Sequence, residues 1–319
     1  MNELNYKEVF ETLVNETAKY VTDNNIKAMI LGISGGIDST VVAAICYEVS
    51  ILTGVPLIGR SLPTHFNKVD ENDAADLVGK AFCTNYNKIY MEDLYQNTVD
   101  FINIVENDCQ TLLANGNIQA RLRMIYLYNL ASIYNGIVMD TDNLTEHNLG
   151  YWTLHGDVGD FNPIGGLWKT EVFKLAEWYK NDYVQKKIKD TNDYFESGGM
   201  EVNGPIKFRV MMDDPVYKAL TESLKLKPTA GLGITNNDLE ELGAESYDQV
   251  DSILQEILCW KWVEDQNPSN PEECYRKFME DQQMLNIPIE VIQNVAKRHF
   301  YSSFKRKKLP IKIERHLLV

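Results

Sequence analysis

Residues 28–41 read Ala-Met-Ile-Leu-Gly-Ile-Ser-Gly-Gly-Ile-Asp-Ser-Thr-Val, and no other stretch limits the possible folds of this chain as much. Ala28 to Ile33 is an apolar run of strand length. Ser34-Gly35-Gly36 breaks it, Asp38-Ser39-Thr40 is a helix-opening cluster, and Val41 to Val49 continues as a helix. Strand, glycine turn and helix start make an anion site. Adjacent glycines admit a phosphate close to the backbone, and the free N–H groups of the first helical turn point at it. The hydroxyls of Ser34 and Ser39 add donors. Asp38 would repel a bare phosphate, and a divalent cation shared by carboxylate and phosphate oxygens gives it a reason to be there.

The loop lacks the Gly-Lys-Ser/Thr ending of a Walker A motif and the Gly-x-Gly-x-x-Gly of a dinucleotide fold. Ser34-Gly35-Gly36-Ile37-Asp38-Ser39 resembles instead the pyrophosphate loop of the N-type ATP pyrophosphatases. Those enzymes cleave ATP between the α and β phosphates and pass AMP to an acceptor.

The net charge of −15 argues against a general nucleic-acid binder, which needs basic surface, while leaving room for a small anion held by local Lys and Arg. No apolar run reaches membrane-spanning length, and the first residues lack a signal-peptide pattern. The five cysteines, Cys46, Cys83, Cys109, Cys259 and Cys274, are scattered without a Cys-x-x-Cys pair. That pattern points to a cytoplasmic protein rather than to a zinc site or disulfide framework.

The rest of the chain alternates. Asn5 to Asn24 has helical apolar spacing; Val55 to Leu62 and Asn87 to Tyr90 read as strands; Glu71 to Phe82 and Leu94 to Leu113 read as helices. Asn115-Gly116-Asn117 punctuates before a further helix from Ile118 to Tyr134, and Gly136 to Met139 is a fourth short strand. This order predicts an α/β fold, a parallel sheet flanked by helices and Rossmann-like. Ser34 to Ser39, Ser61 to Thr64 and Asp140 to Glu146 each follow a predicted strand, so they should converge beyond its carboxyl ends.

A second informative stretch runs from Asn117 to Lys169. It contains Asn-Ile-Gln-Ala-Arg-Leu-Arg-Met, Asp-Thr-Asp-Asn-Leu-Thr-Glu, Gly-Tyr-Trp-Thr-Leu-His-Gly-Asp-Val-Gly-Asp-Phe-Asn-Pro and Leu-Trp-Lys-Thr. Downstream stand Lys227-Pro228-Thr229-Ala230-Gly231-Leu232, the Leu242 to Asp251 segment and Lys305-Arg306-Lys307-Lys308-Leu309-Pro310. In this order the motifs resemble those of the ammonia-dependent NAD synthetase family, across most of the chain.

The resemblance implies a ligase of NAD biosynthesis. In that family the nicotinate carboxylate of deamido-NAD attacks ATP, pyrophosphate leaves, and ammonia displaces AMP from the adenylated intermediate. By similarity Gly32, Ile33, Ser34, Gly35, Gly36, Ile37, Asp38 and Ser39 hold ATP, with Thr141, Lys169 and Thr229. Asp38 and Glu146 match the magnesium carboxylates, and Asp38 and Lys169 the catalytic pair. Arg121, Asp160 and Lys305 match deamido-NAD contacts. The resemblance also implies ATP as co-substrate, Mg2+ as cofactor, a homodimer, and no nucleic-acid or membrane partner. Only one helix precedes the first strand, so free ammonia is the expected nitrogen donor.

Individual residues fit plainer readings too. Arg121 and Arg123 flank an apolar helical stripe of Met124, Leu127, Tyr128 and Ala131, and Lys305 to Lys308 fits a solvated basic patch. Several positions depart from the family pattern. Leu154 stands where a lysine is usual and Phe304 where a histidine is frequent. The second-strand arginine is shifted in Arg60-Ser61-Leu62-Pro63, and the segment after Asp157 is one residue short. The expected organisation is a single domain over 1–319, with an insertion at about 186–222 and an extended C-terminal helical part from about 258. Ile206, Phe208 and Val210 alternate, predicting a strand or hairpin in the insertion, which reads as surface decoration. The stretch at about 258–290 predicts an extra helix with a loop. Alternatives are another N-type ATP pyrophosphatase that amidates or thiolates a different acceptor, and a nucleotide-binding homologue without turnover.

Overall fold

The predicted alternation forms a four-stranded, all-parallel sheet in the order β3-β2-β1-β4, with β1 at Met29–Gly32, β2 at Leu57–Ser61, β3 at Asn85–Lys88 and β4 at Ile137–Val138. Met29 pairs with Leu57 on one side and Ile137 on the other. The computed structural model describes residues 4–106, 112–186, 205–228, 238–263, 270–281 and 286–306. Side chains alternate across a strand, and β1 shows it. Met29 and Leu31 pack with helices α1 (Tyr6–Asp23), α2 (Ile37–Thr53) and α3 (Val69–Phe82). Ala28 and Ile30 face α4 (Glu92–Glu106) and α5 (Leu112–Tyr134) on the opposite side. After β1 the chain turns to β2 and β3 on one side, and later returns to β4 on the other. The strand order therefore reverses between β1 and β4, where an open parallel sheet leaves a crevice beyond its carboxyl ends.

Two further helices border that crevice, α6 (Leu144–Leu149) and α7 (Lys169–Trp178), and α7 continues into a π-helical turn at Tyr179–Val184. Downstream come α8 (Pro205–Lys225), α9 (Asp238–Leu242), α10 (Tyr247–Val263), α11 (Pro271–Asp281) and α12 (Ile289–Tyr301), then a 3-10 turn at Ser303–Arg306. A separate apolar cluster joins Leu149 and Trp168 to Val250, Leu254, Phe278, Val295 and Phe300, and so ties α6 and α7 to the C-terminal helices. Among the described residues no helix is long and apolar enough to cross a membrane.

The structure departs from the sequence expectations in four places. β3 begins two residues earlier than the predicted Asn87. α5 runs uninterrupted through Asn115-Gly116-Asn117, because packing against β1 and β4 outweighs the modest local penalty of Gly and Asn in a helix. The first part of the Leu94 to Leu113 helix is α4, which begins at Glu92, whereas Leu112 and Leu113 open α5. Ile206, Phe208 and Val210 lie in a helix, α8, which Pro205 opens with its preset φ. Nor is this insertion decoration. Val216, Ala219 and Leu220 are buried in the main core, α8 packs on α2 and α3, and the Thr40 and Ser223 hydroxyls are hydrogen-bonded at 2.9 Å. The extra helix expected at about 258–290 is α11, with Cys274 and Phe278 buried.

Leu220→Ala is expected to destabilise the fold by about 2–5 kcal/mol, the cost of emptying a packed leucine site. Urea unfolding measures it, and a change below about 0.5 kcal/mol would return α8 to the surface.

Candidate active site

The loop between β1 and α2 depends on one glycine. Gly35 has φ +84°, and a Cβ there would sit 2.5 Å from the Glu71 carbonyl oxygen and 2.7 Å from the Ala75 nitrogen on α3. Left-handed backbone pressed against another backbone leaves no room for a side chain. Within the loop, the Ser34 and Ser39 hydroxyls lie 3.0 Å apart, the Gly36 N–H donates to Ser34 Oγ, and the Ser39 and Thr40 hydroxyls donate to the Gly36 carbonyl. Gly36 caps α2 without a side-chain bond, so the first-turn N–H groups of this 17-residue helix meet no capping side chain.

Behind the loop lies a buried ionic group. The Lys169 ammonium donates to Asp38 Oδ2 at 2.5 Å and to Glu146 Oε1 at 2.9 Å, and Lys169 is only 1% exposed. Asn143 donates to Asp38 Oδ1 at 2.8 Å and caps α6. Its Oδ1 accepts the Glu146 N–H while Glu146 Oε2 accepts the Asn143 N–H, a reciprocal box that fixes Glu146 in the first turn. Burial, reinforced by the Asp38 charge and opposed by Lys169, pushes the Glu146 carboxyl up to about 7. For Lys169 burial acts to lower the ammonium, but Asp38 and Glu146 outweigh it and hold the group well above its ordinary value.

A second layer positions the lysine. Asp251 on α10 is 2% exposed and accepts the Thr145 hydroxyl at 2.5 Å and the Thr170 N–H at 3.1 Å. Thr145 Oγ1 in turn accepts the Lys169 N–H at 2.9 Å. A carboxylate thus sits at the N-terminus of α7, the favourable end of the helix dipole.

One cavity of about 1090 Å³ joins these parts. That exceeds the usual single-ligand pocket, so two substrates can occupy it together. Gly32, Ile33, Ser34, Gly36, Ile37, Asp38, Ser39, Thr141, Glu146, Lys169 and Lys305 line it. Gly35 is instead the contact with α3. Arg121 and Asp160 are not in the lining. Arg121 is exposed and donates to the Leu154 carbonyl at 3.2 Å. Asp160 accepts from the Val138 N–H at 2.9 Å and the Tyr128 hydroxyl at 3.1 Å. Thr229, with Lys307 and Lys308, lies outside the described residues.

Sequence reasoning passed over several lining groups. Arg123, not Arg121, faces the cavity and donates to the Leu62 carbonyl and Asn67. Asp142 and Asp157 add carboxylates to the wall. Burial, with Asp140 next, holds Asp142 well above the carboxylate range; burial, against the Thr153 N–H bond, pushes Asp157 up to about 6. Asn143-x-x-Glu146 was readable as a capping box. Asp251 had no independent signal.

The donor set suits a magnesium ion carried on a polyphosphate. That ion is commonly held by one or two carboxylates plus substrate phosphates, and Asp38 and Glu146 supply two half-buried hard oxygen donors beside the loop. Among the described residues no group of three or more His, Cys, Asp or Glu side chains is arranged to hold a metal.

Asp157→Asn is expected to stabilise the protein above pH 6, by on the order of 1–3 kcal/mol. The folded-state value is raised, so the buried charge costs most above pH 6 and the cost fades as the group protonates toward the unfolded value near 4. Thermal melts from pH 4 to 8 should show the two proteins converging at the acid end. A constant gap would remove Asp157 as the source.

The sequence profile described as NAD synthase matches residues 9–191. The NH(3)-dependent NAD(+) synthetase of Thermoplasma volcanium is 30% identical over 260 residues, 79% of this chain and 85% of that protein. That of Campylobacter jejuni is 34% identical over 178 residues, 55% and 68% of the two chains. The solved structure of NMN synthetase from Francisella tularensis shares the fold at TM-score 0.67 and 24% identity, over 98% of this chain and all of that one.

Proposed function

The chain belongs to the NAD synthase family, and from that premise we propose that it is an ammonia-dependent ligase converting deamido-NAD to NAD with ATP. The observation that carries the reading is the Asp38–Lys169–Glu146 group set behind a phosphate-sized loop at the switch point of the sheet. The polyphosphate of ATP seats on Ser34, Ser39 and the N-terminus of α2. Asp38 and Glu146 would hold a magnesium ion there, which would supply positive charge toward the departing pyrophosphate.

The chemistry has two balanced steps. A nicotinate carboxylate oxygen bonds to the α-phosphorus, the bond from that phosphorus to the bridging oxygen breaks, and pyrophosphate leaves with the electron pair. Ammonia then adds to the activated carbonyl, AMP leaves, and the nitrogen sheds a proton to give the amide. Lys169 supplies a fixed positive charge beside the phosphates.

A second reading keeps the reaction and shortens the acceptor. Two of the three residues matched to dinucleotide contacts, Arg121 and Asp160, lie outside the cavity lining, and Leu154 stands in place of a lysine. That pattern favours nicotinic acid mononucleotide, which lacks the adenylate half. Incubation with ATP, magnesium, ammonium and each acceptor in turn separates the readings. Amide and pyrophosphate should form together and only with an acceptor present. Asp38→Ala should lower turnover by about 10³-fold with the circular dichroism spectrum unchanged; an active variant would remove Asp38 from the machinery.

We also propose a homodimer. Phe101 on α4 and Ile125 and Ile133 on α5 are 68%, 65% and 64% exposed, an apolar surface on the two helices that cover one face of the sheet. A second copy seated there buries it symmetrically. Ile125→Glu should shift the mass measured by light scattering from two chains to one, and a monomeric parent protein would end the proposal.

A further inference from the structure

The loop at 34–39 offers a phosphate backbone N–H groups and hydroxyls but no lysine of its own. The cation behind it, Lys169, is already set against Asp38 and Glu146, so this ionic group is net negative before a polyphosphate arrives. Other lining cations are committed elsewhere. Arg60 Nη1 turns to the Gly59 carbonyl at 2.7 Å and to Asn85 Oδ1 at 2.9 Å. Arg123 donates to the Leu62 carbonyl and Asn67 from α5. Arg298 and Lys305 are held at the far end of α6 by the Leu149 and Gly150 carbonyls, with Lys297 beside Arg298 on α12. Lys227 remains. It lines the same cavity as Ser34, Gly36 and Ser39, is exposed, and makes no hydrogen bond or ion pair to a described residue.

The chain around Lys227 fixes where its ammonium can go. Ser223, fully buried near the end of α8, is bonded to Thr40 at the start of α2. α8 also packs along α3, whose backbone presses on Gly35. The Leu226 N–H donates to the Ser223 carbonyl at 3.3 Å, which carries the turn one residue past the helix. Pro228 then disfavours helical backbone at Lys227, so the lysine leaves the axis of α8 about one turn, ~5 Å, beyond the residue that touches α2. The carboxylates lining the cavity near the loop have partners of their own. Lys169 holds Asp38 and Glu146, Glu71 accepts the Lys68 N–H at 3.2 Å, and Asp238 accepts the Tyr247 hydroxyl at 3.3 Å. On α8 itself, Glu222 is paired with Lys225 at 2.7 Å.

We propose that Lys227 is a specificity-determining residue for the triphosphate, reaching over the loop from the end of α8 to the two phosphates that leave as pyrophosphate. The inference rests on the reading above in taking ATP as the co-substrate, and it gives the helix at 205–225 a part in recognising it. AMP lacks those two phosphates, so Lys227 discriminates between the nucleotide that enters and the one that leaves. Its ammonium adds the positive charge that Lys169, committed to two carboxylates, cannot give.

The test uses the full chain, its Lys227→Ala variant and its Lys227→Arg variant, each checked by thermal melting without ligand. Calorimetry with magnesium present measures the Kd of pyrophosphate, ATP and AMP, and needs no turnover. Lys227→Ala should raise the Kd of pyrophosphate and of ATP about tenfold, the loss of one charged hydrogen bond, and leave that of AMP unchanged. Lys227→Arg should largely restore both. In the amidation assay, Lys227→Ala should raise KM for ATP by a similar factor while KM for the acceptor stays the same. Lys227-dependent pyrophosphate binding in a protein that amidates no acceptor would overturn the amidation reading and keep the role of Lys227. An unchanged Kd for pyrophosphate, or an equal loss on AMP, would overturn that role.

Discussion

The buried contact of Lys169 with Asp38 and Glu146 is the interaction on which the rest of the site depends. A desolvated ammonium costs several kcal/mol, and only close, well-oriented partners offset it. Those partners come from α2 and from α6 after β4, the lysine itself comes from α7, and Asp251 on α10 orients α6 and α7. The two halves of the sheet and the C-terminal helices therefore meet at one ammonium group. Two carboxylates against one lysine leave a net negative charge, and the value of about 7 at Glu146 shows how poorly the second carboxylate charge is tolerated there. The group is thus one positive partner short, which suits a cation arriving with a polyphosphate.

Charge is mixed along the cavity. Asp142 and Asp157 act on Lys305, and Glu241 stands 3.5 Å from Arg298. A short helix with an acid in its first turn and cations against its last carbonyls is favoured at both ends by its dipole.

Much of this was readable in the chain, and the rest fails for identifiable reasons. The strand-loop-helix at 28–41 was legible because local rules dominate it: apolar run, adjacent glycines, polar helix start. The parallel pairing and the convergence of three post-strand loops followed from alternation alone, whereas the strand order did not. α5 misled because Asn115-Gly116-Asn117 signals a break locally, while its packing on the sheet is set by residues far away in sequence. Ile206, Phe208 and Val210 fit a period of two by coincidence within a helix. Asp251 was invisible for a deeper reason: its partners, Thr145 and Thr170, lie about a hundred and about eighty residues away. Arg121 and Arg123 differ by two positions on one helix, and only the packed structure shows which of them faces the cavity.

Gly35 has a mechanical consequence. Its missing side chain lets the Glu71 carbonyl and the Ala75 nitrogen of α3 press directly on the phosphate loop. Backbone against backbone has no rotamers through which to yield, so the loop cannot shift without carrying α3. α3 packs along α8, whose Ser223 is bonded back to Thr40 just beyond the loop. Loop, α3, α8 and α2 thus close a ring of contacts, and a ligand that tightens the loop pulls on a brace reaching the outer helix of the core.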